Sequence, residues 1–392
     1  MSVKRAKVIS FLDLRLEEIG QILNFIDSPR VLFSLSGTCK YICGFFRSAC
    51  VYNKCHNILF KFASNSRIII HYVTRLQYYI DRYYIDEKEK INFENIPRLE
   101  YLDYFNMMER RVIEFPKFPE KLIGLHLYGT IIGESQIKAI KALKELESLS
   151  LDSCNVTAKI INDLDLRNLM RLDLQANFLG DKELMKVIFP QRLTSLNLSK
   201  NIITDEGLKN ILHLKELKEL ILCWNKIELK GIKSFQFKKL QTLELDGNNI
   251  GSEGANNLKI PPSVRNLDLS NNNIGDDGAM NLKIPPGVRN LDLSHNHIGD
   301  KGAMNLKIPP GVRNLDLRHN KIGDEGAKNL NLPEGLKYLD LSHNKIGDKG
   351  IEDLKIPSSV INLNLIMNIN LHQFEYQSLS KRKLPNLKHL LI

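Results

Sequence analysis

The sequence predicts an α/β solenoid, with parallel strands on an inner, concave face, short helices on an outer, convex face, and a small helical segment ahead of them. Three observations predict it. A nine-residue pattern, L-x-x-L-x-L-x-x-N, recurs with clear copies beginning at Leu169, Leu193, Leu217, Leu240, Val264, Val288, Val312, Leu336 and Val360. Those starts lie 24 or, once, 23 residues apart, a period too regular to come from composition. A helix-start signal follows each copy at a fixed offset. The length of 392 residues and the 43% hydrophobic content would otherwise suggest two or three globular domains. Repetition removes that estimate, because a repeated coil buries its apolar face only against its neighbours.

Each part of the coil follows from its spelling. In the copy from Val288 to Asn296, alternation turns Leu291 and Leu293 inward and Asn290, Asp292 and Ser294 outward, which describes a short strand. Asn296 stands where the chain leaves the strand, and a buried amide there satisfies backbone groups that the bend leaves unpaired. Asp181, Asp205, Ser252, Asp276, Asp300, Asp324 and Asp348 form the next column, and their residue types predict N-caps for helices of one to two turns. Pro285-Pro286 and Pro309-Pro310 end those helices before the next strand. Further copies begin at Leu122 and Leu146, with Thr130 and Cys154 in place of Asn, a degenerate one begins at Leu99, and a truncated one closes at Leu387, Leu390 and Ile392. The total is about twelve coils of 23–24 residues, an inner arc on the order of 60 Å at the spacing of parallel strands.

On these motifs, residues 99–392 resemble the leucine-rich repeats. The resemblance implies a horseshoe scaffold whose concave face holds a protein target. No catalytic text accompanies it: the chain has no G-x-S-x-G, no H-E-x-x-H and no Walker-type glycine loop. The expectation is therefore a binding protein, not an enzyme, with no cofactor and no resident metal, monomeric on its own.

Residues 1–50 read differently. Leu14 to Ile26, the break at Ser28-Pro29, and Val31 to Leu35 describe two or three short amphipathic helices. Leu14, Glu17, Ile22, Leu23, Ile26, Cys39 and Lys40 follow the order of an F-box, which this segment resembles, although Arg15 stands in place of its Pro and Thr38 in place of its Val. An F-box ahead of leucine-rich repeats is the arrangement of substrate receptors of cullin-RING ubiquitin ligases. The resemblance implies that Leu14, Glu17, Ile22, Leu23 and Ile26 dock on a Skp-type adaptor. The other reading is a plain helical cap on a freestanding binding or inhibitor module. Residues 51–98 are a linker or N-terminal cap, in which Val73-x-x-Leu76-x-Tyr78 resembles a worn coil.

Cys39, Cys43, Cys50 and Cys55, with His56, crowd this region, but their spacing lacks paired C-x-x-C knuckles, which favours buried thiols in a reducing compartment over zinc. The start is interrupted by Asp13, Arg15, Glu17 and Glu18 too early for a signal peptide, and no window reaches the ~18 apolar residues of a membrane helix. A cytoplasmic protein is expected, in its own cell or in a host's.

The net charge of +10 invites a nucleic-acid reading, but basic residues are scattered among nearly as many acids, so no specific nucleic-acid partner is expected. The outward columns carry the candidate binding residues. One runs Asp173, Asn197, Ile221, Glu244, Asp268, Asp292, Asp316, Asp340, Asn364, an acidic stripe in its later half. Arg265, Arg289, Arg313 and Lys337 precede it in their strands. These columns are either a face for a charged partner or the copies left by internal duplication. His295, His319 and His343 share one position three residues on, and Trp224, the only Trp, shares it in an earlier coil as a candidate anchor.

Overall fold

The computed structural model describes residues 75–80, 100–106, 115, 117–229, 237–368 and 384–391. The F-box-like residues Leu14, Glu17, Ile22, Leu23 and Ile26 and the cysteine cluster from Cys39 to Cys55 lie outside these.

Fourteen parallel strands form one sheet in chain order, so each strand hydrogen-bonds only to the strands of the coils before and after it. They are β1 (Arg75–Ile80), β2 (Tyr101–Asn106), β3 (Gly124–Tyr128), β4 (Ser148–Asp152), β5 (Arg171–Asp173), β6 (Ser195–Asn197), β7 (Glu219–Ile221), β8 (Thr242–Glu244), β9 (Asn266–Asp268), β10 (Asn290–Asp292), β11 (Asn314–Asp316), β12 (Tyr338–Asp340), β13 (Asn362–Asn364) and β14 (His389–Leu391). The predicted copies each place a strand, including the degenerate one at Leu99 and the truncated one at Leu387. The sheet also begins earlier than the repeat text, since β1 pairs with β2 from Arg75↔Tyr101 to Ile80↔Asn106, in the stretch that resembles a worn coil.

Helices occupy the other side of the coils: α1 (Glu134–Lys141), α2 (Ala158–Asp163), α3 (Asp181–Leu184), α4 (Asp205–Leu208), α5 (Gly251–Asn257), α6 (Gly275–Asn281), α7 (Asp300–Asn305), α8 (Asp324–Asn329) and α9 (Asp348–Asp353). They are one to two turns long, as the spelling predicts. A helix is about 10 Å wide and strands stand about 4.8 Å apart, so stacking both in step bends the solenoid toward its strands. Between the two layers the inward Leu, Ile and Val side chains form one continuous core; Leu291 and Leu293 are 2% and 0% exposed.

Two polar ladders lock successive coils together. Asn296 is fully buried; its Nδ2 donates to the carbonyls of Leu269, Leu293 and Ser294, and its Oδ1 accepts from the backbone N–H groups of Asn272 and Ile274 in the preceding coil. Asn201, Asn272 and Asn320 make the same set. Where Cys154 replaces Asn, its Sγ still donates to the carbonyls of Leu127 and Asp152.

The second ladder corrects the sequence reading. Asp181, Asp205, Asp300, Asp324 and Asp348 are the first residues of their helices, not N-caps, and the cap positions of α3, α4, α7, α8 and α9 are Gly180, Thr204, Gly299, Gly323 and Gly347. Each carboxylate reaches across to the following coil. Asp276 accepts from the N–H groups of Gly299 and Gly302, and Asp300 from those of Gly323 and Gly326, so the orphan donors at a helix start are satisfied by the preceding repeat.

Candidate functional site

The outward strand residues stack in register, Glu244↔Asp268↔Asp292↔Asp316↔Asp340, one acid per coil over five coils. Neighbouring acids are thus one strand spacing apart, about 4.8 Å. A parallel row lies beside them: Asn266 donates to Thr242, Asn290 to Asn266, and Asn314 to Asn290. Acids and amides together line a groove of about 220 Å³ with Leu267, Leu291, Leu315 and Tyr338.

Part of this column is structural. Asp173, Asp268, Asp292, Asp316 and Asp340 each accept a hydrogen bond from the N–H two residues on, closing the turn that ends the strand. Asn197 and Asn364 make the same bond without a charge. The turn therefore explains an Asp-or-Asn column, and leaves open why four successive coils carry carboxylates.

Those carboxylates are held at a cost. Burial, then the charge of Asp292, pushes Asp316 up to about 6, although Arg318 approaches it at 3.4 Å. Burial also raises Asp268 and Glu244, with neighbouring acids adding to it, and it raises Asp173. Asp340 is the exception. It is 2% exposed, and burial acts on it too, but hydrogen bonds from Ser342, Asn364 and Tyr338 outweigh burial and hold it below the usual carboxylate range. Burial and the Asp340 carboxylate push the Tyr338 hydroxyl up to about 12.

The Arg column does not complement the acids. Arg265 and Arg313 donate instead to the carbonyls of Gly287 and Gly335 in the next coil. Their position before the strand directs them toward the loops.

The column past the acids has a backbone signature that spacing does not reveal. Ser153, Ala176, Lys200, Trp224, Asn271, His295, His319, His343 and Met367 all have positive φ, as does Gly247. His and Asn tolerate this left-handed region better than most residues, which is a structural reason for His295, His319 and His343. Their rings stack at centroid distances of 4.1 and 3.9 Å, with interplanar angles of 15° and 12°. Parallel faces do not aim three nitrogens at one point, and no group of metal-ligating side chains stands among the described residues. Burial, then the Arg318 charge, lowers His295; burial, then His295 and His343, lowers His319.

Trp224 is 55% exposed, and its indole lies over Gly247, where a Cβ would come within 2.7 Å of the ring. Sequence reasoning missed its apolar company. Phe178 and Ile202, at one turn position in successive coils, are 73% and 46% exposed, and turn positions carry no periodic signal that would have marked them. The thiols of Cys154 and Cys223 are each pushed up to about 12 by burial first, so neither is a nucleophile near neutral pH.

The sequence matches the family described as Leucine Rich repeat over residues 191–212, 238–258, 261–283, 288–307, 312–330 and 336–355. No curated protein matches the chain by sequence. Among solved structures, an internalin, InlF, from Listeria monocytogenes is similar, at 22% identity and a TM-score of 0.54 over 86% of this chain and 92% of that one. A TLR13–ssRNA13 complex is similar at 19% identity and a TM-score of 0.50, over 77% of this chain and 44% of that one. At these identities the likeness is one of fold. The repeats are leucine-rich repeats stacked as a solenoid, the kind of fold that serves protein interaction, and no helix among the described residues is long and apolar enough to cross a membrane.

Proposed function

We propose that this protein is an interaction scaffold that holds a protein target on its strand face, with Asp173, Trp224, Glu244, Asp268, Asp292, Asp316, Asp340 and the His295, His319 and His343 edge as its contact residues. One observation carries the reading. The fold needs only an Asx turn at the acidic column, which Asn197 and Asn364 supply without charge, yet Glu244 to Asp316 are kept as partly buried acids in mutual repulsion. A partner bringing positive charge relieves that repulsion, whereas a phosphate backbone of the kind named for the TLR13 complex adds to it. A photo-crosslinking residue placed at Asn290 on the strand face, compared with one at Lys301 on the helix face, tests the reading. Covalent capture of a protein from the strand face alone is the expected result, and equal capture from both faces overturns it.

The N-terminal segment supports a more specific role, that of an F-box-type substrate receptor in the cytoplasm. Leu14, Glu17, Ile22, Leu23 and Ile26 would dock on a Skp-type adaptor of a cullin-RING ubiquitin ligase while the solenoid holds the substrate. The order of these residues ahead of the repeats is what favours it. A pull-down with a purified Skp-type adaptor, using the full chain and an Ile22→Asp, Leu23→Asp variant shown by circular dichroism to be folded, tests it. Binding by the parent and loss in the variant support the receptor role. A folded parent that does not bind leaves a freestanding binding or inhibitor module.

A further inference from the structure

The acidic groove does not stand alone. On the coils of β5 to β7, immediately before Glu244 begins the acidic run, the outward surface turns apolar: Phe178, Ile202 and Trp224 are 73%, 46% and 55% exposed, and Ile221 takes the place of the acid in its column. An exposed indole beside aliphatic side chains has the composition of an interface anchor, and acids on the next coils have that of its charged flank. Ser199 lies in the same group of coils; it is 3% exposed, and its Oγ has no hydrogen-bond partner. A hydroxyl the fold leaves unpaired at the edge of this patch would be satisfied by a carbonyl of an occupant.

Resting on the scaffold reading above, we infer that this surface binds an extended basic segment of a protein partner, an apolar side chain on the Trp224 patch and Lys or Arg at about the third and sixth positions beyond it. The spacing follows from the sheet. Asp268 is two strands from β7 and Asp316 four strands, which is about 10 Å and about 19 Å at 4.8 Å per strand. An extended chain crossing the strands covers those distances in about three and about six residues. The occupant is basic because the groove is lined by Glu244, Asp268, Asp292 and Asp316, whose acids have no matching column of bases: Arg265 and Arg313 are engaged by loop carbonyls.

Trp224 is the only Trp in the chain, so its fluorescence reports on the anchor directly. The full chain is titrated with the acetylated peptide Leu-Gly-Ser-Lys-Gly-Ser-Lys and with Leu-Lys-Lys-Gly-Ser-Gly-Ser, which has the same composition in another order. The spaced peptide is expected to shift the Trp224 emission and to bind at least about fivefold more tightly than the permuted one. That preference disappears in the Asp268→Asn, Asp316→Asn variant, which keeps the Asx turns as Asn197 and Asn364 do and is checked for folding by circular dichroism. Equal binding of the two peptides, no binding of either at millimolar concentration, or a preference that survives in the folded variant overturns the inference. Capture of a protein from Asn290 alongside any of these outcomes leaves the scaffold reading standing and removes only this occupant. Absence of strand-face capture removes both.

Discussion

At the scale of single residues, the fold concentrates its polar stabilisation in a few side chains. The Asn296 amide completes five hydrogen bonds in a fully buried position, three as donor and two as acceptor. Replacing it with Ala strands carbonyls and N–H groups of two coils where water does not reach. Asn296→Ala is therefore expected to cost on the order of 3 kcal/mol or more, read as a lower denaturant midpoint; a loss under about 1 kcal/mol would mean that the neighbours repair the ladder. Asp316 works in the opposite sense. Its carboxyl titrates at about 6 in the folded chain, against about 3.9 when unfolded. The folded state thus holds the proton more tightly, and the stability this group contributes is fully present below about pH 4 and is lost as the pH rises through about 6. Asp316→Asn keeps the Asx turn and removes the charge, so it is expected to stabilise the protein at pH 7.5 by roughly 1–2 kcal/mol, allowing for residual solvent contact, and to do nothing near pH 3.5. Thermal unfolding of both chains at the two pH values checks it, and a gain that does not vary with pH would trace the effect to something other than the carboxyl.

At the scale of the coil, the helix starts show how far a repeat can be read in isolation. Gly326 sits inside α8, where helix propensity alone favours Ala by about 1 kcal/mol. A Cβ at that position would meet the Asp300 Oδ1 at 2.6 Å and the Asp300 backbone Cα at 2.9 Å, because the cap from the preceding coil passes over it. Gly326→Ala is accordingly expected to destabilise, by roughly 1–3 kcal/mol, and the destabilisation should largely vanish when Asp300 is already Ala. A double-mutant cycle measures this; additive losses would show that the two residues do not meet. The strand and Asn columns were legible because each coil imposes the same demand on the same position: inward Leu291 and Leu293 must be apolar, and the bend at Asn296 needs a side chain that both donates and accepts. The Asp column was legible as a helix-start signal, but not its target, since residue type does not say whether a carboxylate serves its own coil or the next. The same limit applied to Arg265 and Arg313, whose partners are loop carbonyls of the following coil. In the candidate site, the acids and Trp224 were visible as columns. Phe178 and Ile202 were not, because solvent-facing turn positions tolerate many residue types and so leave no pattern.

At the scale of the whole molecule, every junction from β9 to β12 is built from the same parts, so the solenoid behaves as a stack of interchangeable units. Removing residues 288–311 takes out one complete unit. Asp268 would then face Asp316 in the register that Asp292 and Asp316 now hold. Asn320 would serve the N–H groups of Asn272 and Ile274 as Asn296 now does, and Asp276 would cap the start of α8 as Asp300 now does. No buried polar group is orphaned, and the cost is one coil interface among many. The shortened chain is expected to fold, with unchanged circular dichroism per residue and a modestly lower thermal midpoint. Removing only residues 288–299 deletes β10 and Asn296 but leaves α7, so Leu267 and Leu315 lose the strand between them and the Asn ladder is broken. That chain is expected to lose its cooperative transition. If both deletions fold equally well, the in-register ladders are not what holds the coils together; if the 24-residue deletion also unfolds, the coils are not equivalent, and the near-identity of the sequence from Val264 to Lys349 conceals a dependence on longer-range curvature.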